Sequence, residues 1–197
     1  MRSEHLVRFV RAYHSWIVVG IVLLALVLRL PLLSGSLWMD EAAQALESIR
    51  PLNQQLQIRD DFQPPLLHLL THFALQISTS EWWLRWWGAV LPALLSIWLL
   101  PDLVVTLLRS GSPSNQKKQL ELMPYLTGYL AALWLATNSF HIFFSQELRP
   151  YSLAAWWAVL SWWLILKQRP GWQLALASLA GLYSTYLYPF VLIGQAF

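Results

Sequence analysis

The chain has no cysteine, few charged residues and no glycine-rich phosphate loop. The absence of cysteine excludes disulfide bonds and thiolate chemistry. The absence of a Gly-rich loop argues against a soluble enzyme that binds nucleotide sugars. Charged residues make up 12% of the chain, whereas soluble domains contain about 25%. The scarcity of charge therefore argues against a soluble globular protein.

Apolar residues take the place of the missing charge. They account for 57% of the 197 residues, and the mean hydropathy is +0.46. Many of the 13 tryptophans lie near the ends of apolar runs, where aromatic belts form at membrane interfaces. The net charge of +3 does not indicate nucleic-acid binding, because the basic residues fall in short clusters between apolar segments. The composition predicts an all-α, polytopic integral membrane protein.

Five apolar segments are candidates for crossing a bilayer, which takes about 20 residues. They are residues 15–34, 84–107, 121–143, 152–167 and 172–188. No clear cleavage site follows the first segment, so an uncleaved anchor is favoured over a signal peptide. A sixth run, residues 64–78, is too short for a comfortable span.

The distribution of charge indicates whether residues 64–78 cross the membrane. If this run does not cross, the basic clusters lie on one side of the membrane and the acidic loops on the other, as the positive-inside rule requires. If it crosses, Lys117 and Lys118 move to the acidic side. We therefore predict an interfacial or re-entrant helix opened by Pro64 and Pro65. The N-terminus is predicted to be cytoplasmic, in a multi-pass protein of the inner or plasma membrane.

The first outer loop, residues 35–83, is predicted to contain a second interfacial helix. It would begin at Asp40 and end at Arg50, just before Pro51, because its apolar residues fall at helical spacing. We expect residues 1–197 to form a single membrane domain. The chain ends inside an apolar run, so we expect it to be truncated, the front part of a longer protein.

Two adjacent carboxylates, Asp40 and Glu41, follow the first apolar segment. Carboxylates are costly inside a bilayer, so both should lie at the headgroup level. One interpretation is a helix N-cap with an ordinary acidic neighbour. The other is a general base, which is favoured because the pair Asp60-Asp61 and Glu147 lie on the same predicted side. Acids that converge near an arginine suit chemistry with a phosphate leaving group.

Four motifs, in this order, resemble those of the GT-C membrane glycosyltransferases, in particular the protein-mannosyltransferase-like family 39. Residues 29–42 resemble the first-loop signature, and residues 61–66 resemble the Asp-x-x-Pro-Pro-Leu element. Residues 81–92 resemble the Glu-x-x-x-Arg stretch, and residues 140–153 resemble the Ser-Gln-Glu-x-Arg-Pro-Tyr-Ser element. The resemblance implies the N-terminal part of a GT-C fold, with about five spanning helices and two interfacial helices in the first outer loop.

The resemblance also implies a function. Enzymes of this family transfer a sugar from a polyprenyl-phosphate donor to an acceptor at the outer membrane face, and their first-loop Asp matches Asp40. We predict an inverting transfer to a protein, lipid or glycan acceptor, with Asp40 and Glu41 as the catalytic residues. The predicted donor-phosphate and substrate-binding residues are Arg59, Asp61, Gln63, His141, Glu147, Arg149 and Tyr151.

Gln63 departs from the family pattern, in which many relatives have His or Lys before the two prolines. Glutamine can donate a hydrogen bond to a lipid phosphate but carries no charge, so Arg59 or Arg149 would supply the charge. Arg149 also has a structural interpretation, as a snorkelling cation paired with Glu147. Arg85 is interpreted as an interface anchor.

A metal site and two other functions stay open. His68 and His72 would share a helix face, but no Glu intervenes as in His-Glu-x-x-His. Interfacial hydrogen bonding is therefore favoured over a divalent metal, and no cofactor is certain.

The other functions are an inactive fragment of such an enzyme and a membrane transporter or scaffold. The charges gather at one surface and not at the midplane, which argues against a transporter.

Overall fold

The computed structural model describes residues 2–55, 63–111 and 122–196. All regular secondary structure in these ranges is helical, which confirms the all-α prediction. The helices are α1 (Arg2–Arg29), α2 (Met39–Ser48), α3 (Leu52–Gln55), α4 (Leu66–Leu75), α5 (Glu81–Arg85), a π-helical turn (Trp86–Val90), α6 (Leu91–Ser110), α7 (Met123–Thr137), α8 (Ser139–Phe144), α9 (Tyr151–Leu166), α10 (Gly171–Leu182) and α11 (Pro189–Ala196).

Two helical segments are long and apolar enough to cross a membrane. One is Ala12–Arg29 within α1, and the other is Glu81–Ser110, which joins α5, the π-helical turn and α6. Within the described ranges, the other predicted spans correspond to shorter helices; α9 has 16 residues and α10 has 12. At 1.5 Å per residue these reach roughly 24 and 18 Å, less than the ~30 Å hydrocarbon core of a bilayer.

The prediction of one continuous span over residues 121–143 is wrong. α7 ends at Thr137, and Asn138 has an extended backbone with ψ 123°. Its side-chain oxygen accepts a hydrogen bond from the His141 amide at 3.0 Å, so Asn138 is the N-cap of the separate helix α8. The apolar run hid this break, because it continues on both sides of the asparagine.

The π-helical turn lies where Pro92 requires it. Proline has no amide hydrogen, and in a regular helix its ring clashes with the carbonyl four residues earlier, which here belongs to Gly88. The turn Trp86–Val90 widens the helix at this point and ends with the Leu91 amide bonded to the Trp86 carbonyl. The long helix therefore continues past Pro92, and Arg85 precedes the widened turn directly.

Contacts along the bundle give the relative directions of α1, α6 and α7. α1 and α7 are parallel, because His14 contacts Tyr129 and Arg29 contacts Ala136. α6 runs in the opposite direction to α1, since Arg85, just before it, bonds to the loop after α1. The shared core is built from small and branched residues that let the helices approach closely. It contains Ala25, Leu33, Val90, Leu94, Ile97, Ala132 and Ala136.

The charges of the described residues fall at two ends of this bundle. The acidic end holds the C-terminus of α1, helix α2, and the segment 145–150 between α8 and α9. The basic end holds the C-terminus of α6 and the turn after α9, where Asp102 pairs with Lys167 at 3.0 Å. The described acidic and basic loops that were predicted to lie on opposite sides of a membrane are therefore at opposite ends of the bundle.

The two helices predicted in the first outer loop are present as α2 and α4. α4 has 10 residues, roughly 15 Å, so it is too short to cross a bilayer. Its Leu67 and Ala74 pack with Ala45 of α2 and with Leu84 and Leu148 in a second core cluster. This cluster holds α2 against the long helix at the acidic end.

Candidate active site at the acidic end

A buried ion pair between Glu41 and Arg85 joins α2 to the start of the long helix. Glu41 is 1% exposed and Arg85 is 2% exposed. Arg85 Nε donates to Glu41 Oε1 at 2.9 Å, and Nη2 donates to Oε2 at 2.6 Å. Two parallel N–H···O bonds fix both side chains in one orientation. The first turn of α2 is therefore held rigidly at the acidic end.

Backbone amides complete the hydrogen bonding of Glu41. The amide of Leu148 donates to Oε1 at 2.6 Å, and the amide of Trp38 donates to Oε2 at 3.1 Å. Burial alone would raise the pKa of Glu41, but the hydrogen bonds from Arg85, Leu148 and Trp38 outweigh it and lower the pKa. Glu41 was predicted to be catalytic; in the structure each of its carboxylate oxygens already accepts two hydrogen bonds.

Arg85 gathers the loop that follows α1. Its Nη1 donates to the carbonyls of Leu33 at 2.8 Å and Gly35 at 2.6 Å, and its Nη2 donates to Ser36 at 3.2 Å. Nη1 also reaches the carbonyl of Leu32 at 3.2 Å, a residue with φ 70°. This left-handed conformation costs a non-glycine residue roughly 1–2 kcal/mol, so the bonds to Arg85 offset local strain.

The interpretation of Arg85 as an interface anchor is wrong, because the side chain is buried. An arginine at the start of an apolar helix is costly to bury unless it is paired. This cost is the feature of the sequence that indicates an acidic partner for Arg85. The sequence does not show which of several acids is the partner. Glu41 lies 44 positions away.

A pocket of about 260 Å³ opens beside this ion pair. It is lined by Trp38, Met39, Asp40, Glu41, Glu147, Arg149 and Tyr151. Five predicted site residues from two distant segments of the chain therefore meet here. Unlike Glu41, the Asp40 side chain is 65% exposed, and its Oδ2 lies 3.8 Å from Nη2 of Arg149. Asp40 has a carboxylate that is open to the pocket and only loosely paired.

Gln63 contacts Arg149 through its side-chain amide. With the amide oxygen turned towards the guanidinium, it accepts from Nη1 at 2.7 Å and from Nη2 at 3.0 Å. A lysine in this position would repel Arg149, whereas a neutral acceptor orients the guanidinium without cancelling its charge. Gln63 therefore contacts Arg149 without lining the pocket itself, and it does not neutralise the positive charge of the guanidinium.

Glu147 is the third carboxylate at the pocket. Burial raises its pKa, and the nearby charges of Glu41 and Asp40 raise it further, against the opposing effects of Arg149 and Arg85. Like charges that share a small site make each ionisation harder. The predicted pairing of Arg149 with Glu147 is not an ion pair here; among the described residues, the carboxylate within ion-pair distance of Arg149 is that of Asp40.

His141 lies in a neighbouring pocket. Arg29 Nη2 is 2.7 Å from His141 Nδ1, and Nη1 donates to the carbonyls of Ala25 and Ala136. Arg29 therefore does not pair with a first-loop carboxylate among the described residues. The second pocket also has a volume of about 260 Å³ and shares Tyr151 with the first. It is lined by Asn138, Phe140, His141, Phe144, Tyr151, Ser152 and Ala155.

The histidines of α4 do not form a metal site with other described residues. His68 Nδ1 lies 2.9 Å from Gln44 Nε2, and His72 Nδ1 lies 2.8 Å from the Ser48 carbonyl. Both contacts pack α4 against α2, as interfacial hydrogen bonding would. Within residues 2–55, 63–111 and 122–196, no group of three or more His, Asp or Glu side chains could hold a metal ion.

Two predicted site residues, Arg59 and Asp61, lie outside the described residues. Comparisons of the chain with protein-family models, curated proteins and solved structures find no match. The function is therefore inferred from the chemistry of the pocket at the acidic end.

Proposed function

We propose that this protein is a multi-pass membrane glycosyltransferase of the GT-C type. It transfers a sugar from a polyprenyl-phosphate donor to a protein, lipid or glycan acceptor at the outer face of the cell membrane. The observation that carries the proposal is the pocket in which Asp40, an exposed carboxylate, faces the guanidinium of Arg149. A base and a cation across one small pocket are what transfer from a phosphate ester requires.

A membrane location is supported by the surface of the apolar helices. On α1, Trp16, Leu23 and Val27 are all more than half exposed. Large contiguous apolar surfaces are unfavourable in water, but they suit contact with lipid chains. The two helical segments long enough to span a bilayer add to this support.

The reaction would proceed by a single displacement with inversion at the sugar. The carboxylate of Asp40 takes the proton of the acceptor nucleophile as that nucleophile forms a bond to the anomeric carbon. The bond from the anomeric carbon to the phosphate oxygen breaks, and polyprenyl phosphate leaves with the electron pair. Arg149 stabilises the charge that develops on the phosphate, because its planar guanidinium suits bidentate contact with phosphate oxygens.

The surroundings of the pocket fit a lipid-linked donor. Gln63 orients Arg149, and the pair Glu41–Arg85 fixes the backbone that carries Asp40. The second pocket, which is walled by Phe140 and Phe144, begins at the shared Tyr151. This pocket would accept the isoprenoid units next to the phosphate.

The position of the buried charges favours an enzyme over a transporter. Charged side chains that serve transport are expected near the midplane of the membrane, at discontinuous helices. Among the described residues, the fully buried charged side chains are Arg29, Glu41 and Arg85. All three lie at the acidic end: Glu41 lines the pocket and binds Arg85, and Arg29 contacts His141 of the second pocket.

An Asp40→Asn variant tests the assignment of the base. It keeps the shape of the side chain and removes the proton acceptor, so the rate of sugar transfer should fall about 10²- to 10⁴-fold. The measurement is the transfer of a radiolabelled sugar from a polyprenyl-phosphate donor by the purified full chain in detergent.

The matched control is Glu47→Gln, about two turns further along the same helix. Glu47 forms a surface ion pair with Arg50 at 2.7 Å and does not line the pocket, so its rate should stay within about twofold of wild type. Transfer by Asp40→Asn at the rate of the Glu47→Gln control would rule out Asp40 as the base.

A further inference from the structure

The basic end carries a third, larger cleft that belongs to no part of the site described above. Its volume is about 440 Å³, and side chains from α1, α6, α7 and the turn after α9 line it. The charged and aromatic side chains among them are His14, Asp102, Arg109, Tyr125 and Lys167. Charged and aromatic side chains from four separate elements therefore converge at one place.

Aromatic rings hold the basic groups of this cleft in place. The guanidinium of Arg109 lies over the ring of Tyr125, 4.9 Å from its centroid. His14 Nδ1 lies 2.8 Å from the hydroxyl of Tyr129, and its ring packs against the ring of Tyr125. A guanidinium stacked on a ring keeps its in-plane N–H groups for other acceptors. Arg109 can therefore present donors to a ligand in the cleft.

The described residues that line the cleft carry a net positive charge. Asp102 neutralises Lys167 at 3.0 Å and also accepts from Trp163 Nε1 at 2.6 Å. Among the residues that the structure describes, no carboxylate lies within ion-pair distance of Arg109. Two cations against one carboxylate leave a site that is complementary to an anion.

The depth of the cleft matches that of lipid headgroups. His14 lies near the start of the apolar segment Ala12–Arg29, and Arg109 lies near the end of the segment Glu81–Ser110. The adjacent side chains Trp16 and Leu107 are exposed. Charged groups that follow directly on exposed apolar helix faces occupy the boundary between lipid chains and water.

We propose that this cleft binds the phosphate of an anionic glycerophospholipid, with Arg109 and Lys167 as the ligands of the phosphate. The acyl chains would lie along the exposed faces of α1 and α6. The inference rests on the membrane insertion that the proposed function also requires, but not on sugar transfer. Basic clefts between spanning helices are suited to such headgroups.

The test uses the full chain in nanodiscs that contain phosphatidylcholine with or without phosphatidylglycerol of the same acyl length. After extraction into detergent, mass spectrometry of the intact protein counts the retained lipids. Phosphatidylglycerol should be retained in preference to phosphatidylcholine, and the Arg109→Gln, Lys167→Gln double variant should bind it at least about tenfold more weakly. Asp102→Asn keeps an acceptor for Trp163 and frees Lys167, so it should bind phosphatidylglycerol more tightly.

The control is Arg50→Gln, which removes an exposed arginine at the acidic end and should leave retention unchanged. Equal retention of the two lipids, or an equal loss in the control, would overturn the proposal. Displacement of the lipid by millimolar inorganic phosphate would show a site for soluble anions and would also overturn it. A chain that does not insert into nanodiscs contradicts the membrane assignment itself, whereas an inserted chain that retains no lipid, or retains lipid without preference, contradicts the headgroup site alone.

Discussion

The acidic and basic ends of the bundle both concentrate charge, but they stabilise it in different ways. At the acidic end, Glu41 and Arg85 are almost completely buried and are held by hydrogen bonds to backbone and to each other. At the basic end, Asp102 and Lys167 remain more than a quarter exposed, and Lys167 lies 5.9 Å from the centroid of the Trp163 ring. One end is fixed, and the other is open to water or to lipid headgroups.

The difference in burial between the two ends indicates what the Glu41–Arg85 pair contributes. Taking two charges out of water costs several kcal/mol per ion, and their attraction repays this cost only when the geometry is excellent. A buried pair is therefore poor evidence of added stability and better evidence of a need for fixed geometry. Here the fixed element is the first turn of α2, which presents Asp40 to the pocket.

The largest effect on stability is expected from Arg85→Met. The substitution leaves the Glu41 carboxylate buried without a counter-charge and releases the carbonyls of the loop after α1. The free energy of unfolding should fall by about 3–5 kcal/mol. Chemical denaturation in detergent micelles, followed by circular dichroism, measures it.

The double variant Glu41→Gln, Arg85→Met is the control for that result. Because the double variant removes both charges, it should lose less stability than the sum of the two single variants, with a coupling of about 1–3 kcal/mol. Additive losses would mean that the two side chains contribute separately, and the contrast between the ends would fail.

The acid dependence of stability sharpens the comparison. The folded state lowers the pKa of Glu41 below its ordinary value of 4.5. Its stabilising contribution is therefore complete above that ordinary pKa and is lost as the pH falls through the lowered value in the folded state. Glu41→Gln should flatten the acid limb of the curve of thermal midpoint against pH, measured between about pH 3 and pH 8.

Glu147, in the same pocket, has a pKa shift in the opposite direction. Its folded pKa is raised, so its contribution is complete below the ordinary pKa and is lost as the pH rises through the raised value. Glu147→Gln should therefore raise the thermal midpoint slightly at neutral pH. A lower midpoint at neutral pH would contradict the crowding of carboxylates in the pocket.

The smallest effect is expected at the basic end. Asp102 and Lys167 form an exposed pair, and such pairs contribute about 0–1 kcal/mol. Asp102→Asn should change the free energy of unfolding by less than about 1 kcal/mol, and salt should reduce even that change. A loss as large as that of Arg85→Met would show that the two ends are alike.

The helical pattern of the sequence predicted much of this architecture. The apolar spacing after Asp40 predicted α2, and Pro64-Pro65 before a short apolar run predicted α4. For the described residues, the clustering of charge also predicted which groups would share an end of the bundle. These features are local, or depend on composition alone, so a single sequence contains them.

The different burial of Asp40 and Glu41 could not be predicted in the same way. Adjacent residues on a helix point about 100° apart, and only tertiary packing decides which of them faces the interior. The amide of Leu148 and the guanidinium of Arg85, which hold Glu41, come from distant segments. The cap at Asn138 was visible as a residue type, but the apolar run around it favoured a continuous helix.

In the proposed mechanism, Glu41 holds the site in place and Asp40 performs the chemistry. The most direct measurement compares Asp40→Asn with Glu41→Gln, recording for each the thermal midpoint and the rate of sugar transfer per folded molecule. Asp40→Asn should keep the wild-type midpoint and lose transfer about 10²- to 10⁴-fold, whereas Glu41→Gln should lower the midpoint. An Asp40→Asn variant that transfers sugar at the wild-type rate, or a Glu41→Gln variant with the wild-type midpoint, would contradict this mechanism.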